Sequence, residues 1–384
     1  MASLLLPIIY LAFISLGLPD ALLGAAWPTM YPQLGAQVSW AGGVSMIISA
    51  CTILSALANE RLGTGRVTAI SVATTAAALF GFSFCHAFWQ LCLWAIPYGL
   101  GAGSVDAALN NYVALHYKSR HMSWLHCMWG VGASLGPVIM GQALAGSGWQ
   151  GGYRIIGILQ VVLTVVLLFS LPLWKLPQDA MGGEPFTPQH RSFPELLKIT
   201  GVPEVLVCFL CYCALESTAG MWASSYCTLV RGLDAQTAAS WASLFYLGIT
   251  AGRFVSGFLT MKMSDRNMIR LGQVLIALGI LLVLLPAGNN VLFVGLILIG
   301  LGCAPVYPCI IHETPVNFGR ELSMSMTGLQ MAFAYVGSCL APPLFGLLAQ
   351  NVTPRLYPWY LAVGLVVMVI MSESLHAKKA AEHR

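Results

Sequence analysis

GLGAGSVDAALNNY, residues 99–112, sets an aspartate and two asparagines into a run of glycine, alanine and aliphatic residues. So apolar a stretch belongs either to a soluble core or to a lipid bilayer, and the composition of the whole chain decides between them. Of 384 residues only 8% are charged and 58% are hydrophobic, against about 25% and about 45–50% in soluble domains. A soluble core of this size has no use for so much apolar surface, so lipid covers part of it. Working outward from 99–112, apolar runs near the length that crosses hydrocarbon, about 20 residues, recur along the chain. They fall at 4–30, 38–58, 67–84, 88–113, 123–145, 153–173, 202–229, 237–260, 268–285, 291–311, 323–349 and 358–374. The chain reads as an all-α membrane protein of twelve transmembrane helices. The short links at His86–Ala87 and Gly288–Asn290 make the spans they join antiparallel neighbours. The first run has no basic segment before it and no cleavage-type site after it, so it reads as a retained helix.

The Gly-Leu-Gly of 99–101 returns at 300–302. Asp20 and Gly24 match Glu216 and Gly220, and Gly132, Pro137 and Gly141 match Gly337, Pro342 and Gly346, all at nearly one offset. Between the two sets lies the longest polar, proline-rich stretch. This predicts two six-helix bundles, 1–175 and 202–376, joined by a loop at 176–201 and followed by a tail at 377–384. Two parallel six-helix repeats put a binding site at the midplane between them, where rocking exposes it to either side. Fourteen Lys and Arg fall in loops or ends on the side of the termini, among them Arg61, Arg66, Lys118 and Arg270; three, Arg154, Arg231 and Arg355, fall on the other. By the positive-inside bias both termini are cytoplasmic, in a plasma membrane, the inner membrane if the cell is bacterial.

An ionisable residue at the bilayer centre costs about 2.5–3.5 kcal/mol on insertion scales, so each one calls for a use. Asp20, Asp106, Glu216 and Arg253 lie well inside spans, with His126 nearer a span's cytoplasmic start. Asp106 shares a helix face with Gly99, Gly103 and Asn110, a small-residue face that points into the bundle. It is either a structural polar lock or a carboxylate that loads and releases protons. Asp20 follows Pro19, which bends a helix, as suits a mobile, substrate-facing segment. Arg253 either pairs with Glu216 or snorkels inward with its stem in the bundle; a gating or structural ion pair is the role expected. His116, His121 and His126 repeat every five residues, a turn of about 500°, so no two share a face and metal binding is not expected.

Several chemistries are excluded. Gly99-Leu-Gly101-Ala-Gly103 follows no strand and precedes no Lys-Ser, so it is not a phosphate loop. Gly132-x-Ser134-x-Gly136 lies in a span without the strand that a nucleophile elbow needs. The eleven cysteines lack paired spacing, and Cys51, Cys208, Cys211 and Cys213 read as small apolar residues. No enzyme site and no cofactor is expected, and the net charge of +4, spread without a basic block, argues against nucleic acid. Trp27, Trp94, Trp129, Trp222, Trp241, Tyr226 and Tyr335 lie inside spans; a few of them beside Asn110, Asn111 and Gln330 would suit a sugar, whose apolar faces stack on rings while its hydroxyls meet amides.

SALANERLGTGR, residues 55–66, resembles the loop motif between the second and third helices of the major facilitator superfamily, with Asn59 where that motif usually has Asp. Within it, VDAALNNY (105–112), LHCMWGVGASLGP (125–137) and LESTAGMW (215–222) resemble stretches of the fucose–proton symporter-like family and related sugar transporters. The resemblance implies that Asp106 is the proton-linked carboxylate and Asp20 its partner carboxylate at the substrate; both are taken as the proton-coupling candidates. It implies substrate contacts at Asn110 and His126, to which Trp129, Glu216, Trp222 and Gln330 are added as candidates. Arg61, Arg66 and Arg253 are the gating candidates. His126 and Trp129 stand where the family's sugar permease has amides. The function expected is a monomeric secondary transporter carrying a small polar solute, sugar or sugar-like, in symport with protons. Sodium remains open as the coupling ion, because Asp20 and Glu216 both offer oxygen ligands. The alternatives are a drug–proton antiporter, on the Gly-Pro segment of 130–141, and a non-transporting membrane receptor on the same fold.

Overall fold

The computed structural model describes residues 2–56, 64–116, 119–174 and 193–382. Among them the regular elements are helices: α1 (Ala2–Asp20), α2 (Leu22–Gln33), α3 (Trp40–Ala56), α4 (Thr64–Ser83), α5 (Phe88–His116), α6 (Ser119–Leu144), α7 (Gly148–Ser170), a single turn α8 (Phe193–Leu196), α9 (Val202–Leu229), α10 (Ala235–Leu259), α11 (Asp265–Leu284), α12 (Asn289–Phe318), α13 (Arg320–Asn351) and α14 (Tyr357–Glu382), with two short 3₁₀ turns. Helices α1 and α2 are one span broken at Ala21, two residues after Pro19. Counted so, and with α8 set aside, the described residues hold twelve long helices, ten of them both long and apolar enough to cross a bilayer. The other two are α3, of 17 residues, and α5, where Asp106, Asn110 and Asn111 interrupt the apolar run. Large apolar side chains such as Phe169, Val363 and Ile370 are exposed on outer faces, where lipid would cover them.

The glycine repeat seen in the sequence is a packing repeat. A side chain at Gly132 of α6 would run into the Ile14 carbonyl of α1, and one at Gly337 of α13 into the Leu210 carbonyl of α9. Gly99 of α5 lies on the Ile48 carbonyl of α3, as Gly300 of α12 lies on that of Phe245 in α10. Gly101 meets Ser71 of α4, and Gly302 meets Gly272 of α11. Small residues let helix backbones approach where no hydrophobic drive separates helix from lipid. Each half is therefore built on the same three helix contacts.

Across the halves, α6 packs along α10, α3 against α13, and α2 against α9. At the end remote from the termini the halves are sealed. Ser224 donates to the Ala25 carbonyl at 3.0 Å, Gln350 donates to Gln37 at 2.7 Å and accepts from the Ser39 hydroxyl, and Gly24 lies on the Met221 backbone. One hydrophobic core runs through this seal, from Trp27 and Met30 to Trp222 and Phe345. Toward the termini the first half has a separate core around Ile9, Phe13, Leu109 and Leu167. Among the described residues the hydrogen bonds between halves lie at the sealed end and near the midplane. Ion pairs near the C-terminus instead tie the second half to itself: Arg270 forks onto Glu373 with both bonds at 2.6 Å, and Lys378 meets Glu204.

Candidate functional site

The site begins with the break in the first span. Proline has no N–H, so the Ser15 carbonyl four residues before Pro19 loses its helical donor. Gln160 of α7 supplies the replacement through its side-chain amide. With the helix opened there, Asp20 turns out of α1. It is enclosed by protein on the scale of the bundle, yet its side chain is exposed, because it faces the space between the halves. Two other helices hold it: the Tyr98 hydroxyl of α5 donates to Oδ1 at 2.9 Å, and the Trp129 indole Nε1 of α6 donates to Oδ2 at 2.8 Å.

Asp106 lies two turns beyond Tyr98 on α5, half-buried, and accepts from Asn110 Nδ2 at 2.8 Å; the same amide donates to the Asp106 carbonyl at 3.0 Å. It is within electrostatic reach of Asp20 and of Tyr307 and Tyr335 in the second half. Opposite, Glu216 of α9 lies 3.7 Å from Arg253 Nη2 of α10. The guanidinium stands 5.4 Å over the Trp129 ring, and its Nη1 reaches the His126 carbonyl at 3.4 Å. Tyr246 of α10 is within electrostatic reach of both acids, with its ring 6.3 Å from that of Trp129. Trp129 thus touches Asp20 with its edge and Arg253 with its face, joining the acid of one half to the ion pair of the other.

The structure brings Asp20, Trp129, Glu216 and Arg253 together across the two halves, with Asp106, bonded to Asn110, within electrostatic reach of Asp20. The His126 ring lies beside it, edge-on to Phe13 at 5.9 Å. Trp222 and Gln330 are elsewhere. Trp222 is fully buried, its Nε1 bonded to the Pro342 carbonyl at 2.9 Å, and Gln330 is fully buried, accepting from Thr314 at 3.0 Å. Arg66 is exposed at the start of α4, while Arg61, Asn59 and Gly63 fall outside the described residues. Tyr98, Gln160 and Tyr246 do not stand out in the sequence. The signal for Gln160 was Pro19, which announces an orphaned carbonyl without saying who answers it; Tyr98 and Tyr246 gave none, because their partners lie on other helices.

The Major Facilitator Superfamily model matches residues 9–242 and 205–382. The chain belongs to the major facilitator superfamily. Similar proteins include the uncharacterized transporter y4wD of Sinorhizobium fredii, 26% identical over 79% of this chain and 75% of its own length. The cis,cis-muconate transport protein of Acinetobacter baylyi is 21% identical over 82% and 77%, and a probable nitrate/nitrite antiporter, NarK1, of Thermus thermophilus is 25% identical over 80% and 76%. Among solved structures the nucleoside transporter NupG aligns with a TM-score of 0.75 at 14% identity, over 97% of this chain and 98% of its own. A bacterial homologue of the lysosomal transporter Spinster, inward-facing and occupied, aligns at 0.67 and 13% over 98% and 95%. This member of the superfamily is a multi-pass membrane transporter, not an enzyme, and its medium is lipid and its cargo a small solute.

Proposed function

We propose that this transporter carries a small polar solute, sugar or sugar-like, in symport with protons by alternating access, with Asp20 and Asp106 as the proton-carrying groups. Asp20 carries the reading: a carboxylate at a broken helix, deep between two repeats, open to the space they enclose and held by donors on two other helices. Closing the carrier around bare carboxylates costs about 2.5–3.5 kcal/mol each on insertion scales, so the empty, unprotonated form is held back while the protonated, loaded form crosses. The aromatic faces of Trp129 and Tyr246 beside Asp20, with Asn110 next to Asp106, suit a ring or polyol chain. A role of this kind for Asp106, Asn110 and His126 is also what the likeness to the fucose–proton symporter-like family implies. With the termini cytoplasmic, as the loop charges suggest, the sealed end is the external one.

The test has two stages. A thermal-shift screen of sugars and polar metabolites on purified protein at two pH values identifies the solute, since stabilisation grows with concentration over affinity. Reconstituted vesicles then report its uptake under an imposed proton gradient. Asp106→Asn should abolish accumulation while leaving binding or exchange measurable. If Asp106→Asn still concentrates the solute on a proton gradient, the assignment is wrong; acid-inside vesicles that take up a lipophilic cation instead would make the protein an antiporter.

A further inference from the structure

Among the arginine–glutamate pairs of the described residues, those of Arg270 and Arg253 are built differently. Arg270 grips Glu373 with two bonds of 2.6 Å at the exposed end of the second half. Arg253, inside the bundle where charge pairing is worth more, approaches Glu216 only to 3.7 Å, beyond hydrogen-bond range. Its other polar contact is the long one, 3.4 Å, to the His126 carbonyl. A guanidinium carries five N–H donors in a rigid fork, and most of this fork is unspent. The side chain is 16% exposed and lies over the Trp129 ring, within cation–π range. A charge taken from water and left loosely paired is costly unless another partner completes it.

We propose that Arg253 is a substrate-binding residue and that the solute carries a carboxylate, which takes the guanidinium fork in place of Glu216. The proposal rests on the transport reading above and narrows its cargo from a sugar-like compound to a small hydroxylated acid. A carboxylate matches the fork in two parallel bonds. Trp129 lies against the guanidinium with its face, and its own neighbours Asp20 and Tyr246 are there for the hydroxylated part of the cargo. Glu216 serves as the stand-in: it neutralises Arg253 in the empty carrier from just outside bonding distance, and so is displaced at little cost.

The test is binding to the full-length purified protein, by thermal shift and isothermal calorimetry at one pH, of D-gluconate, L-malate and L-lactate, each beside its neutral amide. At least one acid should bind, and its amide should bind more than tenfold more weakly. Arg253→Gln should weaken that acid more than tenfold, and Arg253→Lys, which keeps the charge but not the fork, should fall between. Glu216→Gln should bind the acid as tightly as the parent or tighter, because the competitor is gone. A merely structural ion pair predicts the opposite for the last variant, a loss equal to that of Arg253→Gln. That loss, an amide equal to its acid, undiminished binding by Arg253→Gln, or no binding of any acid overturns the proposal. An acid that binds as described but is not accumulated on a proton gradient leaves this assignment standing and sinks the symport reading alone.

Discussion

Each half opens with a helix that carries a carboxylate at the same place, and the two acids are held in opposite ways. Asp20 accepts hydrogen bonds from two neutral donors, Tyr98 and Trp129. Glu216 faces a cation, Arg253, at a distance. In the second half the positions matching Tyr98 and Trp129 hold Ile299 and Ala334, both buried and neither able to donate; in the first half the position matching Arg253 holds Ala56. The glycine contacts, by contrast, are the same in both. Backbone approach is a steric condition that each half must meet by itself, so the repeat keeps it. The partners of the two acids are no part of that condition, and neither half has to repeat the other's, so they are free to diverge.

The steric half of that comparison is the one to break first. Gly132→Val and Gly337→Val should each leave little folded protein in size-exclusion profiles, since overpacking costs about 1–3 kcal/mol and more when the obstacle is backbone. A marked difference between the two would mean the halves do not share their packing. The chemical half should then split. Asp20→Asn is expected to cut gradient-driven uptake at least about 100-fold, the equivalent of about 2.7 kcal/mol, with exchange retained, while Glu216→Gln keeps its response to the gradient. Equal losses would make the two acids equivalent. Tyr98→Phe removes one donor from the Asp20 carboxylate, a bond worth about 1.5–3 kcal/mol, and should lower coupled uptake about tenfold without lowering the melting temperature comparably. Smallest is Gln160→Leu, which orphans the Ser15 carbonyl: a cost of about 1–3 kcal/mol, read as a lower melting temperature.

The local features of the site are legible in the sequence. Asp20 after Pro19, Glu216 at the matching place and Asp106 with Asn110 one turn on are all facts of a single helix, and the 3.6-residue period suffices to interpret them. Trp222 and Gln330 show the limit of that method. By residue type they suited a polar cargo, but their neighbours Pro342 and Thr314 absorbed them into packing. Arg253 shows the converse. Its pairing with Glu216 could be expected from sequence, but the looseness of that pair, and its contact with Trp129 from the other half, could not.

Hydropathy, loop charge and the spacing of glycines were enough to make this chain a bundle of membrane helices in two like halves, because insertion into lipid and close helix contact are governed by the residues of one segment at a time. Which carboxylate faces the central space, which donors hold it and which tryptophan joins it to an arginine across the pseudo-repeat depended on the rotation and depth of helices far apart in the chain. Those are set by the packing of all twelve together, and only the folded molecule records them.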